Sequence, residues 1–232
     1  VAAGRRQHKS ALDQRIVPMR NCGIMPSLKI QIVPVTPFQQ NCSVIFDEES
    51  KRAAVVDPGG NVDHIEEAIR ALGVKVEKIL LTHGHIDHAG GADQLRQSLG
   101  VSIEGPHRGD EFLLNDLPAS GARYGMLDSR AVVPDRWLDD GDRVSAAGIE
   151  FVAIHAPGHS PGSVVLFAAE QRFALMGDVL FQGSVGRTDF PYGNEKQLLT
   201  AITEKILPLG DDVTFLPGHG PASSIGRERT SN

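Results

Sequence analysis

The sequence predicts a single α/β domain in which short strands alternate with amphipathic helices. Two observations support this prediction. Short apolar runs that end in glycine, proline or aspartate turns recur along the chain from residue 28 onward. Segments with apolar residues at helical spacing stand between several of these runs. The 232 residues suffice for one large domain with a substantial core, and no repeat divides them.

Each predicted element has its own local signal. Apolar and alternating patterns predict strands at residues 28–35, 42–46, 53–56, 76–81, 101–104, 149–156, 163–168, 172–176 and 213–216. Asn61 is predicted to cap a first helix that ends at Gly73, and a second helix covers residues 92–99. Asn194 is predicted to cap a third helix, which Pro208 ends.

Between residues 106 and 142 the periodic pattern weakens. Residues 111–117 are compatible with a helix, but Pro118 and Gly121 are expected to interrupt it. Asp140-Gly141 is a hairpin turn signal. This region is therefore predicted to form either part of the entrance to a binding site or an excursion on the surface.

Composition and charge exclude several classes of protein. No apolar run approaches the roughly 18 residues of a membrane span. The net charge of −6 disfavours a strong, general affinity for nucleic acid. The two cysteines, Cys22 and Cys42, form no Cys-x-x-Cys pair and no disulfide framework, which favours a reducing compartment. We therefore expect a cytoplasmic protein that needs neither a membrane nor nucleic acid.

The first residues differ in charge from the rest of the chain. Residues 1–22 hold five arginines and lysines against a single acid, Asp13. They contain no apolar segment of the kind found in secretory signals. We predict that residues 1–24 form a leader that is disordered or foreign to the native chain. Residues 25–232 are predicted to form the single domain.

One segment, THGHIDHAGG at residues 82–91, concentrates side chains that bind metal ions. Imidazole and carboxylate are ligands that zinc, iron and manganese accept. His83 and His85 are two residues apart, so they point the same way in an extended segment. Asp87 and His88 are adjacent and are better placed for a second, neighbouring ion. The spacing therefore predicts two metal ions.

Three further residues of ligand type follow predicted strands. His159, Asp178 and His219 each lie beside glycine on a turn at the end of a strand. Each alone is compatible with a structural role. Because consecutive strand ends can converge on one edge of a sheet, we expect all three to join the cluster at residues 83–88.

With these motifs in this order, residues 28–221 resemble the metallo-β-lactamase superfamily. The resemblance implies an α/β fold of the αββα type, a sandwich of two mixed β-sheets with helices on the outer faces. It also implies a division of ligands between two metal ions: His83, His85 and His159 for one, Asp87, His88 and His219 for the other, with Asp178 bridging them. Asp57 and Asp87 are the candidate catalytic residues. The resemblance implies that Asp57 buttresses the site without binding metal, and a simple role as a turn aspartate explains Asp57 equally well.

Within the superfamily the chain resembles hydroxyacylglutathione hydrolases of the glyoxalase II type, through residues 82–85 and 178–181. In those enzymes a basic residue on the following loop helps to hold glutathione, and Arg187 is the matching position. Arg187, Phe190 and Tyr192 are therefore the candidate substrate-binding residues. Only 13 residues follow His219, so the chain resembles the compact form without a C-terminal helical domain. The implied substrate is a small-molecule thioester, S-D-lactoylglutathione, with no obligate protein partner.

Several alternatives remain open at this stage. The implied cofactors are two divalent ions, with zinc expected, but iron and manganese suit the same ligands. The loop at residues 187–190 also resembles persulfide dioxygenases, which use one iron and three protein ligands. Another ester, lactone or thioester fits the same metal site as a substrate, since the metal site does not select the acyl group. Arg187 either pairs with a substrate carboxylate or forms an internal ion pair with Asp189. A non-catalytic metal-binding protein is disfavoured by the complete ligand set.

Overall fold

Two mixed β-sheets pack face to face in the computed structural model, which describes residues 28–232. The predicted leader at residues 1–24 lies outside the described residues. The first sheet has the order β1-β2-β3-β4-β5 and consists of β1 (Leu28–Val35), β2 (Gln40–Asp47), β3 (Arg52–Val56), β4 (Lys75–Leu80) and β5 (Ser102–Glu104). The second sheet consists of β6 (Arg143–Ala146), β7 (Ile149–His155), β8 (Val164–Ala168), β9 (Phe173–Gly177), β12 (Thr214–Pro217) and β13 (Ser223–Ser224). The strands β10 (Leu180–Phe181) and β11 (Ser184–Val185) form a separate hairpin.

Six α-helices occur in the described part of the chain: α1 (Val62–Leu72), α2 (Ile86–Ala89), α3 (Ala92–Leu99), α4 (Glu111–Tyr124), α5 (Glu195–Ala201) and α6 (Ile225–Ser231). A 3-10 turn at Arg108–Asp110 leads into α4, and a π-turn at Ile202–Ile206 prolongs α5. No helix within residues 28–232 combines the length and the apolar character needed to cross a membrane.

The side chains of the central strands alternate between two apolar layers, as the period of two in a strand requires. On β2, Val44 and Phe46 pack with α1 and α3, whereas Ile45 faces the second sheet. Between the sheets Ile45 packs in one apolar cluster with Phe151 and Leu166. A third apolar layer joins the outer face of the second sheet to α5 and α6. The order of layers is helix, sheet, sheet, helix, which confirms the predicted αββα sandwich.

Two local predictions about turns were wrong. Asn61 precedes α1 in a left-handed conformation, with φ of 48°, and its side chain does not cap the helix. Its Oδ1 atom instead accepts a hydrogen bond from the backbone N–H of Thr36, at 2.7 Å. Asp140-Gly141 does form a turn, in which the N–H of Asp142 donates to the carbonyl of Asp139, but this turn precedes β6 and joins no hairpin. The hairpin turn between β6 and β7 is Ala147-Gly148. These two residues have φ values of 53° and 78°, as a type I′ turn requires. The Asn194 cap is confirmed, because its Oδ1 accepts from the N–H of Gln197.

The helix α4 continues through Pro118 and Gly121, where an interruption was predicted. Proline has no N–H, so it leaves the carbonyl of Leu114 without its helical partner. The N–H of Val132 donates to that carbonyl at 3.2 Å, so the backbone group stays satisfied. Gly121 is buried where the chain turns back, and a Cβ atom there would overlap the carbonyl oxygen of Met126. Packing against residues 126–132 therefore overrides the two local breaking signals.

We predict that Gly121→Ala lowers the free energy of unfolding by roughly 1–3 kcal/mol, because the added methyl overpacks the contact with Met126. Helix propensity alone would raise the free energy of unfolding by about 1 kcal/mol. The sign of the measured change therefore shows whether overpacking or propensity dominates. Urea denaturation measures the change. The matched control is Ala119→Gly on the exposed face of the same helix, which loses only propensity. A Gly121→Ala variant that is as stable as the parent contradicts the packing explanation.

Candidate metal centre

All seven predicted ligands follow strands, on loops or on the short helix α2, at one end of the sandwich. His83, His85, Asp87 and His88 follow β4, and the last two are carried by α2. The other three are distributed over the second sheet: His159 after β7, Asp178 after β9 and His219 after β12. Because β3 and β4 are parallel, as are β9 and β12, their carboxyl ends meet at the same edge. The two sheets thus bring distant parts of the sequence together.

Three histidines form the first group, which we call the first triad: His83, His85 and His159. The Nδ1 atom of His85 lies 3.0 Å from Nε2 of His83 and 2.9 Å from Nε2 of His159. Three ring nitrogens therefore converge on one point. Convergence at this distance is favourable only if most of them present lone pairs to a shared cation.

The outward nitrogens of His83 and His159 show which tautomer each ring adopts. Nδ1 of His159 lies 2.8 Å from the carbonyl oxygen of Arg187, which can only accept, so this nitrogen carries the proton. Oγ1 of Thr82 donates to the Asp57 carboxylate at 2.6 Å and therefore accepts from Nδ1 of His83. In both rings the Nε2 lone pair then points inward, as a metal ligand requires.

The second triad consists of Asp87, His88 and His219. Nε2 of His219 lies 3.1 Å from Oδ2 of Asp87, and Nε2 of His88 lies 3.8 Å from the same oxygen. Asp178 stands between the two triads, because its Oδ2 is 3.6 Å from Nε2 of His159 and 3.7 Å from Nε2 of His219. This is where a bridging carboxylate was expected.

Two buried polar atoms at the centre have no hydrogen-bond partner: Nε2 of His88 and Oδ1 of Asp178, which face each other at 3.4 Å. Buried polar atoms are normally paired, because desolvation without a partner is costly. The backbone at Gly218 packs directly against the side chains of His88 and Asp178, since a Cβ atom there would overlap both. Mixed nitrogen and oxygen donors that converge with unpaired atoms fit a pair of divalent metal ions.

The two triads differ in their acid–base properties. Burial lowers the pKa of His83 well below its usual value, and burial together with the neighbouring His159 lowers the pKa of His85 to about 3. Burial also acts to lower the pKa of His88, but the charges of Asp178 and Asp87 outweigh it, so that this pKa is raised well above its usual value. For His219, the hydrogen bond to Asp87 and the charge of Asp178 likewise overcome burial and raise the pKa.

Asp57 supports ligands of both triads without belonging to either. Its Oδ1 accepts from the N–H of Thr82 at 2.7 Å, and its Oδ2 lies 2.9 Å from Nδ1 of His88. Through Oγ1 of Thr82 the same carboxylate also orients His83. The geometry is that of a buttress, and its contacts are with side chains that surround the site.

A cleft of about 750 Å³ opens above the two triads. The loop with the three candidate substrate-binding residues forms one wall, and α4 lies along another. Arg187 forms an ion pair with Asp189 through Nε and Nη2, at 2.7 and 2.6 Å, and its guanidinium lies 4.5 Å from the ring centroid of Phe190. The internal ion pair that the sequence left open is thus present, with the Arg187 side chain 62% exposed to solvent. Its role in substrate binding stays a prediction.

Tyr192 connects this loop to the first triad. Its hydroxyl lies 2.8 Å from Nε2 of His85, and its ring stacks on Phe190 at 5.4 Å. Burial raises the pKa of Tyr192 to about 12, so the phenol keeps its proton at neutral pH. No sequence pattern pointed to this contact, nor to the roles of Thr82 and the buried Asp110, because each depends on partners that are distant in the chain.

A family model described as the metallo-beta-lactamase superfamily matches residues 35–219. The chain belongs to this superfamily. Over 206 residues it is 45% identical to hydroxyacylglutathione hydrolase GloC of Haemophilus influenzae, with 88% of this chain and 97% of that protein covered.

Solved structures of the superfamily agree with the fold. The BLEG-1 B3 metallo-beta-lactamase superimposes with a TM-score of 0.81 and 34% identity, over 88% of this chain and 97% of that one. TTHA1623 in a di-iron-bound form superimposes with a TM-score of 0.78 and 30% identity, over 87% of this chain and 98% of that one. The predicted family and its enzymatic class, a metal-dependent hydrolase, are thereby confirmed.

We predict that metal binding at pH 7 releases protons from the second triad and not from the first. The imidazoles of His83 and His85 are neutral at this pH because each pKa is lowered, whereas His88 must lose a proton because its pKa is raised. Calorimetric titration of metal-free protein with zinc, in buffers of different ionisation enthalpy, counts the protons. One binding phase should release about one proton or more and the other close to none. Equal release in both phases contradicts the assigned asymmetry.

Proposed function

We propose that the protein hydrolyses S-D-lactoylglutathione to D-lactate and glutathione with two bound divalent metal ions, zinc in the cell. The observation that supports this most strongly is the pair of complete triads that share Asp178 beneath an open cleft. The 45% identity to a relative named hydroxyacylglutathione hydrolase supports the choice of substrate. The buried free thiol of Cys42 is compatible with a cytoplasmic location.

The roles of the side chains follow from their positions. The first triad would hold one ion and the second triad the other, with Asp178 between them. Two such ions would supply Lewis acidity and would lower the pKa of a water in the cleft toward neutrality. The Asp87 carboxylate, only partly buried at the floor of the cleft, would accept a proton from the attacking water. Asp57 would act on the reaction only through the orientation of His83 and His88.

The proposed reaction needs no separate general acid for the leaving group. Attack of a water oxygen on the thioester carbonyl carbon would form the carbon–oxygen bond of D-lactate and break the carbon–sulfur bond, with the proton of the water passing to Asp87. The thiolate of glutathione would leave without an acid, because a thiol is far more acidic than an alcohol. This explains why no further histidine or serine is needed in the cleft. Selection among acyl compounds must come from the walls, where Phe190 and Tyr192 offer an aromatic surface and Arg187 a cation.

The alternative activities are distinguishable from the proposed one. A persulfide dioxygenase with one iron would need only three protein ligands, and the presence of a second, equally complete triad favours hydrolysis. Hydrolysis of another ester, lactone or thioester uses the same centre and differs only in what the cleft accepts. A comparison of substrates on the metal-replete protein therefore identifies the activity.

We predict that the metal-replete protein contains two ions per chain, and that His85→Ala lowers turnover of S-D-lactoylglutathione by at least about 1,000-fold while the fold persists. The histidine lies at the rim of the sandwich, so its loss removes a ligand and little packing. Metal analysis, circular dichroism and thioester hydrolysis measure the three properties. His64→Ala, an exposed histidine on α1, is the matched control and should change none of them. Near-normal turnover of His85→Ala contradicts the assignment, and oxygen uptake with glutathione persulfide by a one-iron protein identifies the dioxygenase.

We further predict that Arg187→Ala weakens kcat/KM for S-D-lactoylglutathione by roughly 3- to 10-fold, mainly through KM, because an exposed guanidinium contributes modestly to binding a carboxylate. The variant keeps the backbone carbonyl that accepts from His159, so the first triad should stay intact. A small uncharged thioester should be hydrolysed at an unchanged rate.

Asp189→Ala is the matched control, because it removes the same ion pair and leaves the cation in place. If the pair only shapes the loop, Asp189→Ala and Arg187→Ala should impair both substrates alike. If Arg187 binds the substrate, Asp189→Ala should leave KM unchanged or lower it.

A further inference from the structure

Asp110 is a buried carboxylate that none of the predicted roles includes. It lies at the end of the 3-10 turn before α4, and its exposed fraction is 0%. Its Oδ2 accepts from the N–H of Gly84 and from Oγ of Ser160, both at 2.7 Å, and its Oδ1 accepts from the N–H of Gly162 at 2.6 Å. Within residues 28–232, no lysine or arginine forms an ion pair with it.

These three hydrogen bonds join the two loops that carry the first triad. Gly84 lies between His83 and His85, on the loop after β4 of the first sheet. Ser160 follows His159 directly, on the turn after β7 of the second sheet. One carboxylate, from a third element, thus holds the N–H of Gly84 between His83 and His85, and the hydroxyl of Ser160 and the N–H of Gly162 on the turn that carries His159. It touches none of the three imidazoles.

The chain around Asp110 is built for close approach. A Cβ atom on Gly84 would lie 2.8 Å from Cβ of Leu113 and 3.1 Å from Cβ of Asp110 itself. A Cβ atom on Gly162 would lie 2.5 Å from the backbone nitrogen of Asp110. Both positions therefore exclude any residue with a side chain unless the backbone shifts. The absence of side chains lets the carboxylate reach backbone N–H groups directly, which gives short, charge-assisted bonds of defined direction.

A purely structural role explains this arrangement poorly. Burial of a carboxylate without an ion pair is costly, and burial raises the pKa of Asp110 to about 6 in spite of the three donors. At the start of α4 a neutral side chain would be buried with a smaller desolvation cost. What the carboxylate adds is a rigid acceptor for three donors at once, on two loops whose ring nitrogens must meet within about 3 Å.

We propose that Asp110 is the positioning residue of the first triad and sets its affinity for a metal ion. This inference rests on the metal binding of the proposed function, but not on the identity of the substrate. The second triad has no contact with Asp110, so its ion should be held as before. The effect of removing the charge is therefore confined to one of two ions, which a general loss of stability would not produce.

The test is Asp110→Asn, which keeps the size of the side chain and replaces one oxygen by an amide that cannot accept. At least one backbone N–H, of Gly84 or Gly162, then loses its partner. Metal-free protein is titrated with zinc against a chelating competitor, and His85→Ala identifies the binding phase that belongs to the first triad. We expect Asp110→Asn to weaken that phase roughly 10- to 100-fold and to leave the other phase unchanged, as is typical when a partner next to a ligand is removed.

Two further variants keep the outcome decisive. Asp93→Asn changes another buried acid, which accepts from Arg96 and Gln97 on α3, and should alter neither phase. Ser160→Ala removes one of the three bonds and should weaken the first-triad phase about 3-fold, which serves if Asp110→Asn does not fold. Equal weakening of both phases, or no change in the first-triad phase, overturns the proposal. Because no substrate is involved, failure to hydrolyse S-D-lactoylglutathione overturns the proposed function alone.

Discussion

The hydrogen bonds of Asp57 keep both triads in register with the first sheet. The carboxylate accepts from the N–H and Oγ1 of Thr82 and contacts Nδ1 of His88, so one residue at the end of β3 determines how β4 delivers its ligands. The parallel pairing of β3 with β4 makes this possible, because it places residue 57 beside residue 82. The same network fixes the tautomer of His83, and thereby the direction of its lone pair. Without these hydrogen bonds, the ligand side chains would be present, but their lone pairs would not be directed toward the metal sites.

Much of the fold and of the centre follows from local sequence signals. The ligand cluster at residues 83–88 lies on consecutive positions, and the strands on either side of the sandwich have clear apolar patterns. The predictions that failed concern residues whose partners are distant in the chain. The helix α4 continues through Pro118 because the N–H of Val132 donates to the carbonyl of Leu114. Asn61 does not cap α1 because its side chain accepts from the N–H of Thr36. Asp110 carried no signal at all, since its role exists only where residues 84, 160 and 162 meet.

The loop at the mouth of the cleft and the first triad form one connected unit. The carbonyl of Arg187 and the hydroxyl of Tyr192 are the outer partners of His159 and His85. Outer partners of this kind orient a ligand and tune its basicity. The loop that lines the cleft is therefore placed to orient two of the three histidines, and a movement of this loop would change the surroundings of both.

The raised pKa values of His88 and His219 have a consequence for how the second triad takes up a metal ion. In the metal-free chain, the positive charge on His88 lies beside Asp178 and Asp87 and neutralises carboxylates that would otherwise repel each other. A proton on His88 thus acts as a counter-ion to the two carboxylates where no metal ion is bound. Uptake of a divalent cation at the second triad is then an exchange for this proton, because a metal ligand must give up its proton.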